Sequence, residues 1–540
     1  MKLKHSTYIK NILLPCLGLS VITGAATGAL IFLFKLACTA VIGLSEEIYH
    51  FVRSNPAYLP LLVLGVVAVG MISVFILKFE PSCRGGGIPT AIAILRGLIT
   101  FRWLRNLITV FTSAMLTYLC AIPLGTEGPS VQMGTAVGSG TVHLLAKNNH
   151  AWDRYIMTGG ACAGFACATG APLTGIFFAF EEAPRRFTPM IFMASATAVF
   201  SGYATSEFLC RQAHIHSKLF HLQINVELPL RYLWTAIVVG LVCGVMGIVF
   251  SKLFRFIDKH IDRLSEIVPL PVKILPVFAI TAIIGFASAH MIGTGHSLIE
   301  FILEGHGVWY LLLLYLAVRT LLLIVANNTG ITGGLFIPSL AVGAMIGALV
   351  AKALIALQLL PEAHFVLTVA VGMAAFLSAS SRTPLSAIAF AAEALGCILN
   401  LLPVVVGVTM AYLVIETSRS VSFTEAVVEN KTDEAHKGKI ATVVDEHMTV
   451  ASGAFIVEKE ILDILWPPTC IVLSVTKNPL HAGHADTAIH PGDVLHLHYC
   501  TYNADETRML LESIIGVQEN KGDPNAKIHV ADKNHQVPNL

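Results

Sequence analysis

Ten apolar stretches follow one another through most of the chain, near residues 11–44, 57–77, 106–124, 188–209, 232–251, 271–290, 308–326, 338–360, 365–378 and 399–415. Each is long enough, or nearly so, to cross a bilayer core, which takes about 20 residues of helix. Lipid offers no water to satisfy backbone N–H and C=O groups, so segments of this kind fold as helices that bond internally. Only 13% of the 540 residues are charged, roughly half the fraction of an ordinary soluble domain. An all-α polytopic membrane protein is therefore expected, and a net charge of +1 gives no reason to look for nucleic acid as a partner.

The N-terminus MKLKHSTYIK is basic, and the apolar run behind it is longer than a signal-peptide core and lacks a small-x-small cleavage pattern. It reads as a retained first helix that starts in the cytoplasm. The Lys/Arg-rich segments RGLITFRWLR (96–105), EEAPRRF (181–187) and KLFRFIDKHIDR (252–263) belong at the cytoplasmic face by the positive-inside bias. That orients both termini to the cytoplasm, and a multi-pass protein of the cell (inner) membrane of a bacterium is expected. The eleven cysteines lie mostly in apolar segments and form no CxxC pair, so they read as small core residues, with no metal and no cofactor expected.

The two halves carry one signature twice. GTEGPSVQMGTAVG (125–138) and GLFIPSLAVGAMIG (334–347) share G-x-x-x-P-S-x-x-x-G-x-x-x-G, with Pro129 and Pro338 standing 209 residues apart. APLTGIFFAFEE (171–182) matches TPLSAIAFAAEA (383–394) at an offset of 212, and GGGIP (85–89) pairs more weakly with GTGHS (293–297). A duplicated unit of roughly two hundred residues follows, with repeats at about 10–210 and 230–430. Duplicated transporters place their site near the midplane, where broken helices present their N-terminal ends.

Anion binding is the chemistry this plan allows. Unpaired N–H groups and the positive ends of helix dipoles at Gly86–Ile88, Gly128–Ser130 and Gly334–Ile337 are able to solvate an anion without a full positive charge. The competing reading is that the glycines only allow close helix packing. One isolated motif would favour packing; three in a duplicated frame favour a site.

GGGIP, GTEGP (125–129) and GLFIP (334–338), in this order and spacing and together with PLTGIFFAFEE, resemble the selectivity-filter motifs of the CLC chloride channels and chloride/proton antiporters. The likeness covers roughly residues 10–430. It implies an inverted repeat of tilted and re-entrant helices, with one anion pathway per subunit of a homodimer. Glu127 then resembles the external gating glutamate, whose carboxylate competes with the anion and leaves when protonated. Glu182 resembles the internal proton-transfer glutamate that family channels usually lack, which implies an antiporter. The resemblance assigns anion contacts to Gly86, Gly87, Ile88, Gly128, Leu335, Phe336 and Phe423. Glu181 and Glu182 also admit a plainer reading as boundary charges paired with Arg185 or Arg186, and Glu393 reads as structural.

The sequence also departs from the family pattern. Gly86 stands where chloride-selective members usually have Ser and nitrate-preferring ones Pro, and Phe423 stands where the family contributes a tyrosine. Two hydroxyl donors are lost, each worth about 1 kcal/mol, which leaves the anion to backbone amides near Leu335 and Phe336 and to the edge of Phe423. Thr126 replaces the usual Lys or Arg, and Pro129 argues against the fluoride-exporting branch.

After Glu429 the composition changes to ENKTDEAHKGK, read as a charged linker at 431–440. Strands are expected at ATVVDEHMTV, CIVLSVTKN and DVLHLHYC, and helices at VEKEILDIL (457–465) and ADETRMLLESII (504–515). Residues 441–516, above all HPGDVLHLH, resemble the TrkA-C (RCK-C) regulatory domain. That resemblance implies a dimerising cytoplasmic α+β module that binds a small regulator such as cyclic di-AMP. His481, His484, His490, His496 and His498 crowd it, and His496 and His498 share a strand face suited to a metal or to pH sensing. Without Cys or carboxylate partners at ligand spacing, no metal is assigned. Residues 517–540 read as disordered.

The function expected is a secondary transporter exchanging chloride, or a similar monovalent anion, for protons across the lipid bilayer. A passive anion channel of the same fold is the alternative, and a non-transporting membrane sensor a further one. An enzyme has no support, since HExxH, P-loop and G-x-S-x-G motifs are missing.

Overall fold

The computed structural model describes residues 12–146, 150–183, 187–215, 219–220, 224, 226–265, 268–476, 486–516 and 527–530. Within it the chain runs through one order of eight helices twice. The first pass is α1 (Leu14–Ser54), α2 (Leu59–Phe79), α3 (Gly87–Leu95), α4 (Trp103–Leu119), α5 (Glu127–Leu145), α6 (Asp153–Thr169), α7 (Pro172–Glu181) and α8 (Pro189–Gln212). The second is α9 (Leu233–Ser265), α10 (Leu270–Ala287), α11 (His296–Leu303), α12 (Trp309–Asn328), α13 (Phe336–Ala356), α14 (Phe365–Ser381), α15 (Pro384–Glu393) and α16 (Leu401–Thr417). Long helices alternate with short ones at matching places, as the repeat requires.

Repeat mates also meet each other. Gly125 and Gly334 exchange two N–H···O bonds of 2.7 Å. The Glu181 carboxylate, at the end of α7, accepts from the N–H groups of Leu385 and Ser386 at the start of α15, both at 2.7 Å. Glu393, at the end of α15, accepts from Leu173 and Thr174 at the start of α7, at 2.8 and 2.9 Å. Each carboxylate satisfies helix N–H groups that have no partner in their own helix, at the end where a negative charge is favoured. A bond and its mirror between mates is what a two-fold relation produces.

Among the described residues, eight helices are long and apolar enough to cross a membrane, and the chain is a multi-pass membrane protein. Leu61, Leu64 and Phe75 on α2 are well exposed, the kind of surface lipid covers. By contrast, α5 and α6 are rich in glycine and alanine and almost wholly buried. A Cβ on Gly134 would lie 2.1 Å from the carbonyl oxygen of Gly160, and one on Gly160 2.2 Å from that of Gly134. These two helices touch backbone to backbone, the close approach that small residues permit.

The last helix of the membrane half, α17 (Phe423–His436), continues through most of the expected linker 431–440. It leads to an antiparallel sheet of β1 (Thr442–Thr449), β2 (Ile471–Thr476), β3 (Val494–Thr501) and β4 (Lys527–Val530), in the order β2-β3-β1-β4. The α18 helix (Ala504–Ile515) buries Leu511, Ile514 and Ile515 in one cluster with Leu495, Leu497 and Tyr499. Two expectations are corrected here. β4 falls inside the stretch read as disordered, the rest of which lies outside the described residues. The segment 457–465 forms only a short turn at Ile461–Asp463, because its backbone bonds run elsewhere: Glu458 N–H donates to Ile489 O at 2.8 Å and Ile461 N–H to Thr487 O at 3.2 Å.

This C-terminal domain docks on the membrane half. Arg154, in α6, donates through Nη1 to Trp466 O and through Nε to Leu95 O, the last residue of α3, both at 2.7 Å. Tyr155 Oη donates to Asp463 O and accepts from Leu465 N–H. Lys459 is buried at the same junction, its Nζ 3.1 Å from the centre of the Phe455 ring and 3.8 Å from Met190 Sδ. Burial pushes the Lys459 ammonium down from 10.5 to about 7, against the opposing effect of Cys16 and Asp463. Between these values the unfolded chain holds a proton that the folded one lacks, so stability rises with pH from about 7 to 10.5. Lys459→Met is expected to remove that slope and to stabilise the domain at pH 7 by about 1–3 kcal/mol. Thermal unfolding of the full chain at pH 7, 8 and 9 checks this; an unchanged slope would discard it.

Candidate functional site

Three helices, α3, α5 and α13, begin at one place. Gly85 reaches it with φ +74 and donates its N–H to Gly330 O at 2.9 Å, a left-handed conformation that glycine adopts without strain. A Cβ on Gly87 would fall 2.1 Å from the carbonyl oxygen of Gly128, and one on Gly128 would fall 2.6 Å from the Cα of Gly334. The three motifs therefore touch along their main chains, and any side chain at these positions would part them. First-turn N–H groups of three helices end up together, which is a setting for negative charge.

The fourth motif, GTGHS, does not join them. Arg319, wholly buried, donates to the carbonyl oxygens of His290, Ile292 and Gly293 at 3.2, 2.8 and 2.6 Å, and so fills the loop ahead of α11.

Beside the three N-termini lies a cavity lined by Ile88, Leu335, Phe336, Phe423 and Glu182, with Phe165, Phe178, Ser339 and Ser386 among the remaining wall. The space open to the centre of a water-sized sphere is about 20 Å3, room for a water or a small anion. Phe165 and Phe390 meet the Phe336 ring edge to face, at 5.0 and 5.1 Å between centres. Those contacts fix the ring at the cavity wall. Phe423 is held by Phe250 and Phe254 at 6.1 and 6.0 Å.

Of the residues singled out in the sequence, Ile88, Leu335, Phe336, Phe423 and Glu182 share this cavity, while Gly87 and Gly128 form the backbone contact next to it. Glu127 follows directly on the loop and is fully buried. Its Oε1 accepts from Thr126 Oγ1 at 3.0 Å, and its Oε2 has no hydrogen-bond partner. At Gly86 a Cβ would stand 3.1 Å from Asn327 Nδ2, a buried amide nitrogen that itself has no partner. Asn327 carried no signal in the sequence.

Glu181 and Glu182 part company at the end of α7. Glu181 caps α15, whereas Glu182 turns to the cavity, where its Oε1 accepts from Thr424 Oγ1 at 3.0 Å. Arg96, at the end of α3, donates to the carbonyl oxygens of Glu182 and Ala183, both at 3.2 Å, and pairs with Glu425 at 2.9 Å. Ser422 caps the start of α17 by accepting from Glu425 N–H at 3.2 Å, which sets Phe423 and Thr424 in place. Thr424 was missed by sequence reasoning, which marked Arg96 only as part of a basic segment. Arg185 and Arg186 lie outside the described residues.

On the outer face of the sheet, Asp445 accepts from His498 at 2.7 Å, and the rings of His447 and His496 stack at 4.3 Å. Among the described residues, no group of three or more His, Cys, Asp or Glu side chains is disposed to hold a metal. His481 and His484 lie outside the described residues.

Duplicated helical membrane domains whose broken helices meet N-terminus first around a small cavity are the architecture of ion transporters. Residues 64–416 match the family described as voltage gated chloride channel, and the chain belongs to that family. Its fold is similar to that of a slow cyanobacterial Cl−/H+ antiporter, at 24% identity and a TM-score of 0.72, covering 78% of this chain and 99% of that one. A CLC-type fluoride/proton antiporter follows at 21% identity and a TM-score of 0.62, covering 74% and 95%. A eukaryotic CLC transporter stands at 21% and 0.64, covering 78% and 74%. At these identities the likeness is one of fold.

Proposed function

We propose that this protein exchanges chloride, or a similar monovalent anion, for protons. The observation that carries the reading is the pair of buried carboxylates at one backbone cradle: Glu182 in the cavity wall and Glu127 directly after the glycine contact. The backbone N–H of Ile337, at the start of α13, acts on the Glu127 carboxylate, so anion and carboxylate compete at that helix end, and protonation releases the side chain. Glu182 hands the proton on at the other end. The solved antiporters of similar fold support the same reading.

Three further assignments belong to it. The protein is a homodimer, the assembly that the family resemblance implies. The face bearing the C-terminal domain is cytoplasmic, because the basic segment around Arg96 lies there, with Gly97 against Pro468. The domain tunes transport in response to a small regulator such as cyclic di-AMP, since α17 runs from Phe423 at the cavity to the sheet as one helix and Arg154 ties the domain to α3.

Reconstituted vesicles test the proposal. With opposed anion and proton gradients, the reversal potential is expected to move with the proton gradient; a potential set by the anion alone would leave a passive channel. In the same vesicles, a chain ended after residue 440 keeps α17 and is expected to transport at a changed rate that no longer answers to cyclic di-AMP. An unaltered response would overturn the regulatory role.

A further inference from the structure

The cavity is richer in hydroxyls than its glycine motifs suggest, and the hydroxyls all come from the second half: Ser339, Ser381, Thr383 and Ser386. Two are engaged with each other, Ser381 Oγ with Thr383 Oγ1 at 2.7 Å, and Ser381 also lies 2.7 Å from Leu377 O. The Oγ atoms of Ser339 and Ser386 have no hydrogen-bond partner, and Ser386 lies at the end of α15 that the Glu181 carboxylate caps. Ser339 is 1% exposed and stands one turn into α13, the helix that starts at Phe336 after Leu335.

Its repeat mate shows what a serine here ordinarily does. Ser130 Oγ donates to Thr126 O, four residues back, at 2.9 Å. That bond closes a serine onto its own helix and is the usual fate of a hydroxyl in a membrane helix. Ser339 does not make it, although its own N–H bonds Leu335 O at 2.9 Å. A buried hydroxyl left unpaired costs free energy unless something in the adjoining space accepts from it. The adjoining space is the cavity.

We infer that Ser339 donates its hydroxyl proton to the bound anion and sets the preference for small, strongly hydrated monovalent anions. The inference rests on the reading of the cavity as the anion site. It also accounts for the departures at Gly86 and Phe423: the hydroxyls missing from the first motif and from α17 are replaced by one on α13. A hydroxyl donor compensates most for an anion that gives up tightly held water, and least for a large, weakly hydrated one. The gain is therefore in selectivity as well as affinity.

Calorimetric titration of the purified full-length protein with chloride and with thiocyanate tests this. Ser339→Ala is expected to weaken chloride binding about fivefold and thiocyanate binding less, so that the ratio of the two affinities falls. Ser339→Thr retains the hydroxyl and is expected to stay within about twofold of the starting protein for both anions. Ser378, equally buried and unpaired but not in the cavity wall, supplies the comparison, and Ser378→Ala is expected to leave the ratio alone. Unchanged chloride affinity in Ser339→Ala, or equal losses for both anions, overturns the role of Ser339 while leaving the site standing. If Ser339→Ala does not fold, Ser339→Cys and Ser339→Thr are compared, and equal affinity ratios overturn it in the same way. Failure of the starting protein to bind either anion removes the site and this inference together.

Discussion

Glu127→Gln is expected to abolish proton movement while anion flux continues. The amide keeps the size and shape of the carboxyl group but neither titrates nor carries charge. It therefore no longer competes with the anion as a charge, and no proton is taken up on one side and released on the other. Burial makes the effect large: Glu127 has no exposed surface, so bulk water cannot relieve it of its role. Paired measurements of pH change and anion efflux from the same vesicles read both halves of the result. Acid-driven proton uptake that survives in the variant would defeat the assignment of Glu127. Retained anion flux also separates this outcome from misfolding.

Gly87→Ala is the second large effect, and its cause is steric. The added methyl would sit 2.1 Å from the Gly128 oxygen and 2.2 Å from its carbonyl carbon, with main chain on both sides. No rotamer change relieves an overlap between backbones, so the three loops must part. We expect a loss of about 3 kcal/mol or more in stability, and loss of chloride binding with it. Gly65→Ala gives the contrast, since a Cβ there meets nothing within 4 Å. Thermal unfolding in detergent, with and without chloride, tests both variants. A Gly87→Ala protein that melts at the same temperature and is still stabilised by chloride would mean that the loops do not depend on this contact.

What could be read in advance follows the same physics. The glycines of the three motifs were legible because main-chain contact leaves only one residue type, and repetition at a nearly constant offset marked them twice. The fold of the membrane half came with them, as did β1, β2, β3 and α18, whose alternation or amphipathic spacing is local. α5 and α6 were hard to see as spans, because helices that pack on Gly134 and Gly160 trade hydrophobicity for smallness. Thr424 and Asn327 carried no local signal at all, while Arg96 was marked only as part of a basic segment and Ser339 only as a repeated position of the P-S signature. They matter through what the tertiary fold sets beside them, a carboxylate, a loop or a cavity, and nothing in their flanking residues announces it. Adjacent Glu181 and Glu182 make the point sharply. One helix end separates a cap from a cavity group, and the dipeptide alone does not say which is which. The turn at 457–465 misled for the opposite reason: its composition suits a helix, yet its backbone bonds are claimed by residues 487 and 489.

The reciprocal capping of α7 and α15 bears on how the molecule is made. When the ribosome has delivered the first repeat, the amides of Leu173 and Thr174 still await a carboxylate that lies in codons not yet translated, at Glu393. The early repeat therefore enters the bilayer with one helix unfinished, and completion arrives only when the late repeat folds against it. Neither repeat is a self-sufficient unit any longer, whatever its ancestor was, and expressing the two as separate polypeptides would have to restore both caps at once.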